Sequence, residues 1–196
     1  MKRIKRTLTG VLLVAILLCN TSITTFAAWD MLQNVPRYCQ EKSNWCWAAA
    51  ALMAGKYKYP ASTATQPKIV AHVKGNSTVN DTASIFETVN ATEYVTNDTI
   101  ELSTTLISPW NFSQVRTSIE HGFPVIPLAV KGLVNGHFYV IIGCNPSTNS
   151  IRLIDPSNGV LYTCSWSEFS NGTWPRDSRP HSFTVYFDEY ARIPAS

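Results

Sequence analysis

Residues 36–52 read Pro-Arg-Tyr-Cys-Gln-Glu-Lys-Ser-Asn-Trp-Cys-Trp-Ala-Ala-Ala-Ala-Leu. A polar turn, Glu41 to Asn44, runs into Trp45-Cys46-Trp47 and then four alanines. Asn44 is a good N-cap and alanine is the best helix former, so a helix is expected from Trp45 or Cys46 to about Lys56. Its apolar content from Ala48 to Met53 predicts burial through the middle of a domain. The Cys46 sulfur then lies in the first turn, where unpaired N–H groups and the positive end of the helix dipole favour a thiolate. The thiolate is the reactive form of cysteine. The competing reading is a buried structural thiol, because free cysteine is among the most buried residue types.

A cysteine nucleophile needs a base, a group to orient that base, and donors for the oxyanion. The base is expected at His137, which follows Gly136 and begins the most apolar of the expected strands, with Phe138 to Gly143 after it. The other histidines suit structural places: His72 on the polar face of a short helix, His121 at a helix C-terminus, and His181 in a loop beside Pro180. The orienting group is expected at Asp155, in Ile154-Asp155-Pro156, 18 residues after His137. Two antiparallel strands joined by a hairpin return the chain to the same end of a sheet over that distance. Asp-Pro also starts turns, so plain turn chemistry is the alternative for Asp155. Gln40, six residues before Cys46, is the candidate oxyanion donor together with the Cys46 backbone N–H.

Together, Gln40-(five residues)-Cys46-Trp47-Ala48-Ala49, Gly136-His137 leading an apolar strand, and Ile154-Asp155-Pro156 resemble the papain-like cysteine peptidases. More closely they resemble the bacterial branch that includes the AvrRpt2-type effector proteases and the C39-like domains. Gly122-Phe123-Pro124-Val125-Ile126, ahead of the histidine strand, is similar to that branch too, and the likeness runs from residue 35 to about 160. The resemblance implies a papain-like α+β fold, with a helical half carrying the nucleophile packed on an antiparallel β-sheet half and the site in the cleft between them. It implies a thiolate–imidazolium pair of Cys46 and His137, Asp155 as the orienting residue, Gln40 in the oxyanion hole, and a protein or peptide substrate. Trp45 departs from the plant and lysosomal members, which have a small residue before the nucleophile. Trp45 and Trp47 are candidates for lining the cleft.

Two other functions fit parts of this pattern. A cell-wall peptide amidase or a transglutaminase-like acyl transferase shares the order Cys, His, Asp, and Gln40 at its spacing argues against both. A non-catalytic secreted binding module would use the six tryptophans and eight tyrosines as a ligand surface.

The first 28 residues stand apart. Lys2, Arg3, Lys5 and Arg6 form a basic start, Val11 to Cys19 is an apolar run of nine, and a small, polar segment ends Thr25-Phe26-Ala27-Ala28. This is the pattern of a secretory signal peptide cleaved after Ala27 or Ala28. The run is too short to span a bilayer, and Leu17-Leu18 before Cys19 argue against a lipid anchor, so no stable membrane anchor is expected. Residues 29–196 are expected to form one secreted, monomeric domain.

Four of the 16 Lys and Arg lie in the signal segment and all 13 Asp and Glu lie beyond it, so the remainder carries −1. The apparent basicity belongs to targeting, and no nucleic-acid partner is implied. The cysteines and histidines lack zinc-ligand spacing, so neither metal nor cofactor is expected. Cys39, Cys46, Cys144 and Cys164 remain after cleavage. Cys144 and Cys164 would sit on non-adjacent strands of a meander, and no bridge is expected.

Along the rest of the chain, Trp29 to Arg37 should be extended. Helices are expected from Pro67 to Gly75, after a cap at Asp81 or Thr82, and from a cap at Ser113 to Gly122. Strands are expected near Thr99 to Ser103, then Pro124 to Lys131, His137 to Cys144, Ser150 to Asp155, Val160 to Cys164 and His181 to Tyr190. Helices first and an antiparallel sheet second is the α+β pattern.

Overall fold

Helix α1 (Cys46–Lys58) forms where the alanine run places it, and every residue from Cys46 to Gly55 is buried. It has no polar face because it has no solvent side, and other elements must cover it all round. The computed structural model describes residues 29–105, 108–132 and 135–187, and the expected signal segment lies outside them.

Three further helices pack on or near α1, and local capping chemistry sets where each begins. Helix α2 (Gln66–Lys74) is capped by the Thr65 side chain and closed by Gly75 in the left-handed region, φ 76°. Helix α3 (Ile85–Val95) starts at Ser84, not at Asp81 or Thr82, because Ser84 and Glu87 form a reciprocal capping box. The same reason moves the start of α4 (Phe112–Glu120) from Ser113 to Asn111, which exchanges bonds with Gln114. The buried hydroxyls of α3 stay within their own helix, Thr88 donating to Ser84 O and Thr92 to Thr88 O. With its polar groups satisfied, α3 lies close against α1. At Gly55 an added Cβ would stand 2.5 Å from Val95 Cγ1.

The strands form two antiparallel four-stranded sheets where one was expected. The first, in the order β1-β5-β6-β7, contains β1 (Asp30–Met31), β5 (Val140–Asn145), β6 (Ser150–Asp155) and β7 (Val160–Ser165). The second, in the order β2-β8-β3-β4, contains β2 (Leu102–Thr104), β3 (Ile126–Lys131), β4 (Asn135–Phe138) and β8 (His181–Phe187). The single strand expected from His137 to Cys144 is two strands, broken at Tyr139, where the chain leaves the second sheet and enters the first. Paired bonds between Val125 and Ile141 hold the sheets together at this corner. A short helix, α5 (Trp166–Asn171), follows β7 and was not anticipated; Ser165 and Glu168 form its capping box.

His181 opens β8, as the expected strand has it, but it is only 5% exposed rather than in an open loop beside Pro180. Its Nε2 faces Phe183 O and Thr184 Oγ1, and burial pushes its pKa down to about 4, so the ring is neutral at pH 7.

Gly55→Ala should destabilise the protein. Alanine gains about 1 kcal/mol of helix propensity, but overpacking against Val95 costs about 1–3 kcal/mol. Urea unfolding checks this, and in a Val95→Ala background, with the obstructing methyls gone, the same change should become neutral or stabilising.

Candidate active site

Cys46 is the first residue of α1, and this helix end is buried rather than exposed. The helix N-cap is Trp45, which makes no side-chain cap bond, and there is no acidic residue in the first turn. Asn44, the expected cap, donates its Nδ2 to Asn80 O at 2.7 Å instead. No cap side chain therefore competes for the first-turn N–H groups, and as first helical residue Cys46 has an N–H without an intrahelical acceptor.

Trp45 and Trp47, expected to line the cleft, are 1% and 0% exposed. Their indole N–H groups donate to Val79 O and Asp81 O. They hold the segment between α2 and α3 against the nucleophile helix, and in this structure their rings are not open to a substrate.

The His137 imidazole is held by Asp155, with Nε2 and Oδ1 2.8 Å apart. The Cys46 side chain is near enough to act on the same ring, and its influence is among the causes that raise the His137 pKa. Thiol, imidazole and carboxylate are thus gathered from α1, β4 and the end of β6. The expected hairpin route is nearly what occurs. Strands β5 and β6 pair with Val140 opposite Ile154, which sets Asp155 level with Tyr139, two residues past His137. Turn chemistry and contact with His137 coexist on one oxygen, because Asp155 Oδ1 also accepts the Ser157 N–H at 2.8 Å.

The electrostatics follow from these contacts. Burial alone would lower the His137 pKa, but its bonds to Asp155 and to Cys46 and their charges raise it to about 9. Burial alone would raise Asp155, and the bonds from His137 and Ser157 hold it below its ordinary value. At neutral pH the arrangement favours a charged imidazole between a sulfur and a carboxylate.

Gln40 lies in the turn leading to Cys46. Its backbone N–H donates to Pro156 O at 2.7 Å, so the Asp155-Pro156 junction holds this loop as well as His137. The side-chain amide donates to Lys42 O at 2.9 Å and Ser43 O at 2.7 Å, so both of its N–H bonds are engaged within the loop. Its Oε1 is buried and has no partner among the described residues.

Two residues that sequence reasoning passed over keep this loop in place. Gln66, 2% exposed, accepts the Glu41 N–H and donates to Cys39 O, gripping the backbone on both sides of Gln40. Asn80 accepts the Asn44 N–H and donates to Ser43 Oγ. A buried glutamine at a helix start has no local signature, since its partners lie 25 and 27 residues away.

Comparison with known proteins agrees with this geometry. The Peptidase_C39 like family matches residues 32–181. The chain belongs to that family. Membership makes it a cysteine-type peptidase, and the matched span takes in Cys46, His137 and Asp155. Among solved structures it is similar to the peptidase domain of Streptococcus ComA, a bi-functional ABC transporter involved in a quorum sensing pathway. That likeness has a TM-score of 0.56 at 16% identity and covers 78% of this chain and 97% of the other. It supports the papain-like α+β fold. No curated protein matches the chain. Of the two branches that the motifs resemble, the C39-like one carries the family match, and the AvrRpt2-type likeness rests on motifs alone.

The remaining cysteines of this C39-like chain stand aside. Cys144 and Cys164 both lie opposite Ile151, on strands either side of β6, which separates them by about 10 Å, beyond disulfide reach. Both are free, and burial pushes each thiol up to about 12. Cys39 is free and exposed, and its sulfur packs beside Gly159, where a Cβ would approach it to 3.2 Å.

The His137 ring, followed by NMR, should titrate near pH 9, and Asp155→Asn should bring that midpoint down. The corresponding stability is fully present below the ordinary histidine pKa near 6.5 and is lost as pH rises through about 9. Gln66→Leu should cost roughly 1–3 kcal/mol in urea unfolding, because it leaves a part-buried N–H and a part-buried C=O without their partner.

Proposed function

We propose that the chain is a secreted endopeptidase that cleaves peptide bonds through Cys46, His137 and Asp155, with the signal segment removed near Ala27 or Ala28. The observation that carries the proposal is the His137–Asp155 pair, 2.8 Å apart, whose imidazole is also within the influence of the Cys46 side chain. The Cys46 thiolate attacks the carbonyl carbon, and the oxygen becomes an oxyanion near the α1 N-terminus. His137, already protonated, gives its proton to the leaving amine as the C–N bond breaks and a thioester remains. Water then attacks the thioester, His137 takes its proton, and the carboxylate product leaves as the thiolate reforms. Asp155 keeps the imidazole in the tautomer and orientation that both transfers need.

The oxyanion donors in this proposal are the Cys46 backbone N–H and the Gln40 amide. In that role the Gln40 nitrogen must exchange one of its two loop carbonyls for the substrate oxygen. The open N-terminus of α1, without a capping side chain, supports an anion at this spot.

Casein and peptidoglycan stem peptides separate a general peptidase from a cell-wall amidase. Wild type should hydrolyse casein, and Cys46→Ala should lose more than about a thousandfold in rate. The alkaline limb of kcat/KM should fall near pH 9, because activity requires protonated His137 and ends as the ring loses its proton. Casein hydrolysis that survives in Cys46→Ala would overturn the mechanism.

A further inference from the structure

We infer that a Tyr139–Asp177–Arg179 network, separate from Cys46, His137 and Asp155, is a positioning device for the His137 ring. This rests on His137 being the catalytic base. The observations concern the two flanks of that residue on β4. On one side Tyr139, 2% exposed, donates its hydroxyl to the buried carboxylate of Asp177. On the other side Asn135 accepts Arg179 Nη1 at 2.9 Å. Arg179 Nε closes the loop on both Asp177 oxygens, at 2.8 and 3.0 Å. One carboxylate and one guanidinium thus tie down the chain two residues before and two residues after the base.

Contact with the ring itself is direct. The Tyr139 and His137 rings meet edge to face, with centroids 4.6 Å apart and planes at 82°. Phe169 and Trp174 pack on Tyr139 at 5.7 and 6.1 Å, so it has little freedom to turn. Asp177 is fixed in turn, its N–H donating to Trp174 O at 3.0 Å. The edge of Tyr139 therefore forms a stationary wall for the imidazole.

Stability is a poor reason for such a network. The Asp177 carboxylate is buried while the Arg179 side chain keeps 22% of its surface exposed, and at such a buried pair apolar residues of the same volume generally serve as well or better. What polar groups supply and a greasy contact does not is a single geometry. That matters here because His137 must face the sulfur with one nitrogen and Asp155 with the other. The charged or titratable groups facing the ring are Cys46 from α1 and Asp155 from β6, with the neutral Tyr139 hydroxyl and the paired Asp177 and Arg179 behind. The network therefore acts by alignment rather than by adding net charge.

The test compares Tyr139→Phe, Asp177→Ala and Asp177→Asn in the full chain, with casein as substrate. Tyr139→Phe and Asp177→Ala should lower kcat ten- to a hundredfold, the order expected of a misplaced reacting group, with KM within about twofold of wild type. The alkaline limb of kcat/KM should also move down from about pH 9 by roughly one unit, as His137 loses its fixed partners. Asp177→Asn, which keeps an oxygen for the Tyr139 hydroxyl, should restore most of the rate. A variant with lowered Tm but wild-type kcat and alkaline limb would overturn the inference and leave the network a structural one. Should Asp177→Ala fail to fold, Tyr139→Phe decides alone, since it conserves volume. If wild type does not cleave casein, the peptidase proposal fails separately. The His137 titration midpoint then decides: unchanged in Tyr139→Phe, it overturns positioning, and lowered, it supports it.

Discussion

The junction Asp155-Pro156 is the constraint on which the site depends. Its carboxylate takes His137, its proline carbonyl takes the Gln40 backbone N–H, and the turn behind it returns through Gly159 to Asp155 O. A sheet end and the loop before the nucleophile helix are thereby held by adjacent residues. Proline suits the position because its fixed φ limits the junction to few conformations, while its carbonyl remains free to accept. Moving this one turn would disturb His137 and the Gln40 loop together.

Cys46 is placed by burial as much as by bonding. An alanine helix without a polar face can only be core, and α1 is buried from Cys46 to Gly55. The entry is made rigid from outside. Trp45 and Trp47 pin the segment between α2 and α3, while Asn80 and Gln66 pin the loop. This frees the helix N-terminus from its usual cap, which leaves first-turn N–H groups for chemistry at a cost of about 1 kcal/mol in helix stability. The loop bonds that replace the cap offset such a cost.

The placement of Gln40 shows how a side chain can be near the right atoms and yet be engaged elsewhere. Its amide is folded back on two carbonyls two and three residues ahead, contacts that no pattern in the chain announces. Its buried Oε1, without a partner among the described residues, marks a residue held in place by the backbone on either side rather than by its own oxygen.

What the sequence determined by itself lies within a few residues of each position. Alanine propensity started α1, Thr65, Pro67 and Gly75 bounded α2, and alternation drew β6 and β7 within a residue of where they run. The spacing of His137 and Asp155 made their contact legible, because a hairpin returns the chain to the same sheet end. Even the misplaced caps erred locally: Ser84 with Glu87 and Asn111 with Gln114 were written in the chain. Tertiary structure alone decided the rest. It split the histidine strand at Tyr139 between two sheets, turned Trp45 and Trp47 inward, and recruited Gln66 and Asn80 to the nucleophile loop. It also brought Asp177 and Arg179 behind the imidazole, some forty residues along the chain. Propensity and capping act through bonds to near neighbours, whereas these pairings arise only when distant segments are pressed together to bury α1, and no local pattern encodes which polar atoms then meet.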